Sequence, residues 1–279
     1  MATIELGCQL DYQVEFETSF IFQIAALDSA RQHIVQEILT CQPQQSIEVC
    51  RVGQLDHRVH RMVVQPGPFN LMYTATVETQ PAKVPSADLQ AYVHSRLPCK
   101  VLEFLNPSRY CESDKLEHFA WDTFGHTPAG HARVQAVTDW VNSHLSYTPG
   151  STGPTTTACD VFLLRQGVCR DFAHVTIALC RALGMPARYV AGYAVKLDPP
   201  DFHGFVEVFL DGDWYLFDAT KLAPVDGFVR IGAGRDAADL SFATLVGNTT
   251  MNQIEVWARD TGAGMSTGET GNDTAVSLN

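Results

Sequence analysis

The chain has 279 residues, 46% of them hydrophobic and only 18% charged, so it carries enough apolar material for one large or two ordinary folded domains. Its 31 acidic and 19 basic side chains leave a net charge of −12, which repels a phosphate backbone and an anionic membrane surface. That balance speaks against nucleic acid and against membrane as partners, and the scattered Gly and Pro speak against a coiled coil.

The N-terminus, MATIELGCQLDYQVEFETSF, has no basic leader, and Glu5, Asp11, Glu15 and Glu17 interrupt any signal-like apolar run. No stretch approaches the roughly 18 apolar residues that a spanning helix needs. The expectation is a cytoplasmic, mostly reduced protein. Its eight cysteines, at 8, 41, 50, 99, 111, 159, 169 and 180, are never spaced as a zinc site or a redox pair requires, so no metal and no cofactor are expected. His57 and His60 would fall on opposite faces of a strand, and solvated strand histidines are the expected reading.

Residues 1–115 read mainly as strands, at 10–22, 58–65 and 69–77, with a helix placed at 28–39. Pro66-Gly67-Pro68-Phe69 is a turn, residues 80–85 a connector, and 85–111 a helical approach to the next unit. The core follows at 116–250. Val134, Val137, Trp140, Val141 and Leu145 mark one buried helical face, and after a Ser/Thr/Gly/Pro loop the chain enters its strongest helix, about Val168 to Leu183. Gly184 and Pro186 end that helix. Strands are then predicted at 187–197, 204–210 and 214–218, the last two joined by Asp211-Gly212, which suits a two-residue type I′ hairpin. Residues 251–279 form a C-terminal segment whose small polar composition predicts a loose tail.

Most cysteines are small buried hydrophobes, and seven of the eight are read that way. Cys169 differs because it opens the strong helix, where free backbone N–H groups and the positive end of the dipole stabilise a thiolate. The nearest histidine in sequence, His174, lies five residues on, about 500° of rotation, and so points some 140° away from Cys169. It is expected to be structural, hydrogen-bonded to a neighbouring element. His203 is the better base. If Asp211-Gly212 are the hairpin turn, His203 falls opposite Thr220, and Asp218 lies on the same face, diagonally adjacent to it. A one-residue slip would send Asp218 to the other face. Cysteine at a helix N-terminus, with an imidazole and a carboxylate on one hairpin face, suits acyl transfer through a thioester.

These residues also carry a family likeness. Gly167-Val168-Cys169-Arg170-Asp171-Phe172-Ala173-His174, followed by Arg181 to Tyr193 (RALGMPARYVAGY), resembles the core of bacterial transglutaminase-like proteins. Phe217-Asp218-Ala219-Thr220 is similar to that family's Phe-Asp-Pro-Thr segment, and 234–239 (GRDAAD) to its downstream Gly-Arg-Asp stretch. The likeness implies an α+β, papain-like fold in which the helix bearing the nucleophile packs on an antiparallel sheet, preceded by a β-rich N-terminal domain. It implies Cys169 as nucleophile, His203 as base and Asp218 as the residue that orients it. The chain departs from the family where His203-Gly204-Phe205 replaces His-Ala-Trp and Ala219 replaces proline. Tyr147 is a candidate substrate contact at the oxyanion position, Asp171 a first-turn acid serving the dipole, and Arg235 with Asp236 a loop anchor or ion pair. The implied function is amide chemistry on a peptide or amide substrate; the likeness does not fix the acyl acceptor, and hydrolysis is expected over amine transfer. Amine acyl transfer and a non-catalytic papain-like binding module are the alternatives.

Overall fold

The computed structural model describes residues 1–53, 55–262 and 273–279. Alternating apolar and polar residues in the first half, joined by two strands from residues 243–260, build two four-stranded sheets. One has the order β15-β1-β6-β3, from β1 (Ala2–Val14), β3 (Gln32–Gln42), β6 (Gly67–Thr79) and β15 (Thr249–Asp260). The other has the order β14-β2-β5-β4, from β2 (Thr18–Phe22), β4 (Glu48–Val52), β5 (His57–Val64) and β14 (Ala243–Val246). Their inward residues, among them Leu10, Phe20, Phe69 and Leu71, make a single apolar core. Tyr193, Val229 and Ile231 enter that same core from the second half of the chain.

The second half centres on the antiparallel sheet β12-β11-β10-β13, formed by β10 (Ala187–Ala194), β11 (His203–Leu210), β12 (Asp213–Phe217) and β13 (Phe228–Gly234). Helix α4 (Cys169–Ala182) lies on it, wrapped by α1 (Glu117–Phe124), α2 (His131–His144) and α3 (Ala158–Leu164). Every residue of α4 from Asp171 to Arg181 is buried, so the helix is a core element on all sides and its amphipathic pattern does not mark a solvent face. Two short ladders complete the fold: β8 (Ser146–Tyr147) runs parallel to β9 (Gln166–Gly167), and β7 (Ala82–Pro85) pairs with β16 (Thr274–Ser277).

The helix placed at 28–39 is the strand β3, because β6 offers it a ladder from Gln32↔Thr79 to Gln42↔Asn70, with one register shift between Ile34 and Gln36, and ladder bonds with β-branched residues outweigh a weak helical pattern. The 10–22 segment is two strands broken at residues 15–17, and the 80–85 connector contains β7. His57 and His60 are 3% and 5% exposed, so they are buried rather than solvated. Cys99 is exposed and Cys50 is half-buried outside the core clusters, so these two do not serve as core packing, whereas half-buried Cys159 packs against the main core. The end of the chain is not loose: Val276 and Leu278 are buried against β13 and β10, since β7 needs a partner and the sheet needs a cover. The remainder of that expected tail, 263–272, lies outside the described residues.

Candidate active site

The nucleophile position is set by the start of α4. Val168 is its N-cap in extended conformation, and Asp171 reaches back to accept the Val168 N–H at 2.9 Å. Asp171 is wholly buried, and also takes hydrogen bonds from Thr152 Oγ1 and from Arg170 Nε and Nη2 at 3.0 and 2.8 Å. Its work is therefore more than complementing a dipole: it ties the preceding loop to the first turn. Gly167 makes this packing available, because a Cβ there would stand 2.7 Å from the Asp171 Cβ. Cys169 is the first helical residue, half-buried, and its Sγ donates to the Phe202 carbonyl at 3.8 Å.

The hairpin supplies the other two groups. Asp211 and Gly212 have φ of 45° and 93°, and the ladder runs from Leu210↔Asp213 to Val206↔Phe217, the register expected for a two-residue turn. His203 Nε2 accordingly meets Asp218 Oδ2 at 2.8 Å, with both residues buried. Asp218 is held in turn by the Thr220 N–H at 2.9 Å and the Thr220 hydroxyl at 2.8 Å, both donating to Oδ1. From α2, Asn142 Nδ2 donates to the Ala219 carbonyl at 2.8 Å and so anchors this turn. The imidazole lies against Phe205 and Phe228, whose rings shield it from water. Among the described residues its second nitrogen, Nδ1, is buried with no hydrogen-bond partner. Burial by itself disfavours the imidazolium, but the Asp218 carboxylate and the neighbouring Cys169 outweigh it and push the His203 pKa up to about 10.

Tyr147 is brought to the same place by the β8–β9 pair, in which it sits opposite Gly167. Its ring meets that of Phe172 at 5.9 Å between centroids, close to Cys169. Burial pushes its pKa up to about 12, and the proximity of Cys169 and Asp201 adds to the shift. His174 is elsewhere: its ring stacks on Tyr110 with 5.2 Å between centroids, Nε2 accepts the Ala237 N–H at 3.1 Å, and burial pulls its pKa down to about 4. Arg235 pairs with Asp239 rather than Asp236, while Asp236 is buried and accepts the backbone N–H groups of Tyr110 and Ala238. The sequence reading missed Asn142, Thr152 and the Phe202 carbonyl. Thr220 lies within the recognised motif and could have been found there, whereas Asn142 acts from 77 residues away and leaves no local signal.

The groups thus assembled can supply a thiol at a helix N-terminus, an imidazole oriented by a carboxylate, and donors for a developing oxyanion. Comparison with known proteins shows the family to which the chain belongs. Residues 117–219 match the Transglutaminase-like superfamily and residues 3–94 the Bacterial transglutaminase, N-terminal domain. A solved structure of a candidate cysteine protease from Cytophaga hutchinsonii is 38% identical, superposes with a TM-score of 0.95, and is matched over 100% of this chain and 98% of its own. The chain therefore belongs to the transglutaminase-like superfamily, with the mixed helix and antiparallel-sheet core and β-rich N-terminal domain expected of it. An uncharacterized protein of Mycobacterium leprae is 34% identical over 117 residues, 39% of this chain and 42% of that protein. One of Mycobacterium tuberculosis is 34% identical over 115 residues, 36% and 37% of the two chains. The match thus spans about two-fifths of the length of these mycobacterial relatives.

Proposed function

We propose that the protein is a cysteine enzyme that cleaves amide bonds through a thioester on Cys169, with His203 as base and Asp218 as its orienting partner. The observation that carries this reading is the buried His203–Asp218 pair at 2.8 Å, whose free Nδ1 belongs to the residue next to the carbonyl that now holds the Cys169 thiol. A rotation of the cysteine side chain turns Sγ from the Phe202 carbonyl toward that nitrogen, and apo sites commonly tighten in this way when substrate binds. Nδ1 takes the thiol proton. Sγ then attacks the carbonyl carbon, the oxyanion is held by the Cys169 N–H with the Tyr147 hydroxyl beside it, and the C–N bond breaks as the imidazolium returns its proton to the leaving amine. Water, deprotonated by the same imidazole, attacks the thioester and restores the thiol.

Hydrolysis is preferred to transfer because the Cytophaga hutchinsonii relative, similar over its whole length, is described as a candidate protease. The reading keeps the chain in a reducing compartment, where its half-buried Cys169 stays a free thiol. The test is a panel of peptide amides assayed with and without a primary amine. We expect amine or ammonia release without incorporation of the added amine, abolished in Cys169→Ala and lowered roughly 10²–10⁴-fold in His203→Ala. Incorporation of the added amine as the main product would favour the acyltransferase reading. Full activity in Cys169→Ala would end both readings.

A further inference from the structure

The face of the central sheet that carries His203 carries a second feature at its far end. Phe209 is six residues along β11 from His203, which is about 20 Å in an antiparallel strand. There, Phe209, Trp214, Phe104, Arg188, Arg230 and Ser29 line a cavity of about 510 Å³, with Lys100 on its rim. Its apolar wall is a packed aromatic group: Trp214 meets Phe104 and Phe209 edge-on at 5.2 and 5.3 Å.

The polar wall has more donors than acceptors. Arg188 and Arg230 are 4% and 1% exposed and share one buried carboxylate, Glu207, which accepts Arg188 Nε at 2.6 Å and Arg230 Nη1 at 3.0 Å. Arg230 Nη2 donates to the Leu278 carbonyl. The Asn279 Oδ1 takes a further bond from Arg230 at 3.0 Å and one from Arg188 Nη2 at 3.4 Å. Asp213, also on the wall, is already engaged by the Trp214 N–H, Ser277 Oγ and Asn279 Nδ2. Asp28, at the rim, is exposed and pairs with His33. With those acceptors used, Arg230 Nε and Ser29 Oγ remain buried without hydrogen-bond partners among the described residues. A buried donor left without an acceptor keeps its desolvation cost, and an incoming anion removes it.

We propose that this cavity binds a small organic carboxylate, its head group on Arg188, Arg230, Ser29 and Lys100 and its apolar body against Phe104 and Trp214. Arg188 already stacks on Trp214, its guanidinium carbon 4.1 Å from the ring centroid, and an organic carboxylate covers more of the remaining apolar wall than a bare inorganic ion does. The site stands apart from Cys169, and its occupancy does not depend on the amide chemistry proposed above.

Isothermal titration of the full chain with phenylacetate tests the proposal. Saturable one-to-one binding is expected, unchanged in Cys169→Ala. It should weaken about tenfold or more in Lys100→Glu, a change of about 1.4 kcal/mol, and weaken measurably in Ser29→Ala. Lys100 is exposed, so its variant should keep the wild-type melting temperature, and Ser29→Ala provides an independent check should it not. No saturable binding, binding unaltered in both Lys100→Glu and Ser29→Ala, loss of binding in Cys169→Ala, or inorganic phosphate binding as tightly as phenylacetate would each overturn it.

Discussion

At Cys169 and His203 the local chemistry follows from where each side chain begins. The cysteine is the first residue of α4, so unpaired N–H groups surround its thiol, while His203 opens β11 against two phenylalanine rings. The imidazolium is costly to bury, yet the Asp218 carboxylate at 2.8 Å and the adjacent cysteine raise its pKa to about 10. A group whose folded pKa lies above its unfolded value contributes stability in full below about 6.5 and loses it as pH rises through about 10. Under the proposed function the alkaline limb of kcat/KM reports the same proton. Asp218→Asn removes the main cause of the shift, so that limb should move to lower pH while kcat falls by up to roughly 10⁴-fold. A pH–rate profile of the two proteins checks this, and an unmoved limb would separate His203 from the rate.

Among the elements, α4 and the β11–β12 hairpin decide the geometry. The hairpin register was legible in the sequence, because Asp211-Gly212 admits the positive φ values of a two-residue turn, and side-chain alternation then places Asp218 beside His203. The start of α4 was legible too, but not the depth of its first turn. Asp171 sits with no exposure, tied to Val168, Thr152 and Arg170. Asp171→Ala leaves the Val168 N–H and Thr152 hydroxyl without their acceptor, and is expected to cost about 2–4 kcal/mol. Urea unfolding measures this loss, and a change below about 0.5 kcal/mol would mean that the first turn is held by other contacts. The element that sequence patterning misassigned, β3, is an edge strand whose residues are mostly exposed, so its apolar spacing carried little information about which ladder it joins.

Across the whole molecule, the two halves of the chain are stitched together by returning segments. β14 and β15 complete the two sheets of the N-terminal half, and β16 pairs with β7. Beyond β16, Leu278 is buried and its carbonyl accepts Arg230 Nη2 at 2.6 Å. Deleting residues 274–279 exposes the sites of Val276 and Leu278, each worth about 1.5–3 kcal/mol of burial, and leaves Arg230 short of two acceptors. We expect a fall in stability of at least about 3 kcal/mol, seen as a lower melting temperature by calorimetry, and a melting temperature equal to that of the intact chain would show that this strand is dispensable.

What the sequence determined by itself is local: a cysteine opening a helix, a hairpin with a two-residue turn, and a diagonal imidazole and carboxylate, all settled by backbone geometry over a few residues. Tertiary structure alone decided the rest. The anchoring of the Asp218 turn by Asn142, the burial of His57 and His60, the ordered strand near the C-terminus and the arginine-lined cavity all depend on contacts between residues tens to hundreds of positions apart. Such pairings are selected by whichever unsatisfied edge or uncovered apolar face remains once the local elements have formed, and no short window of sequence records which one that is.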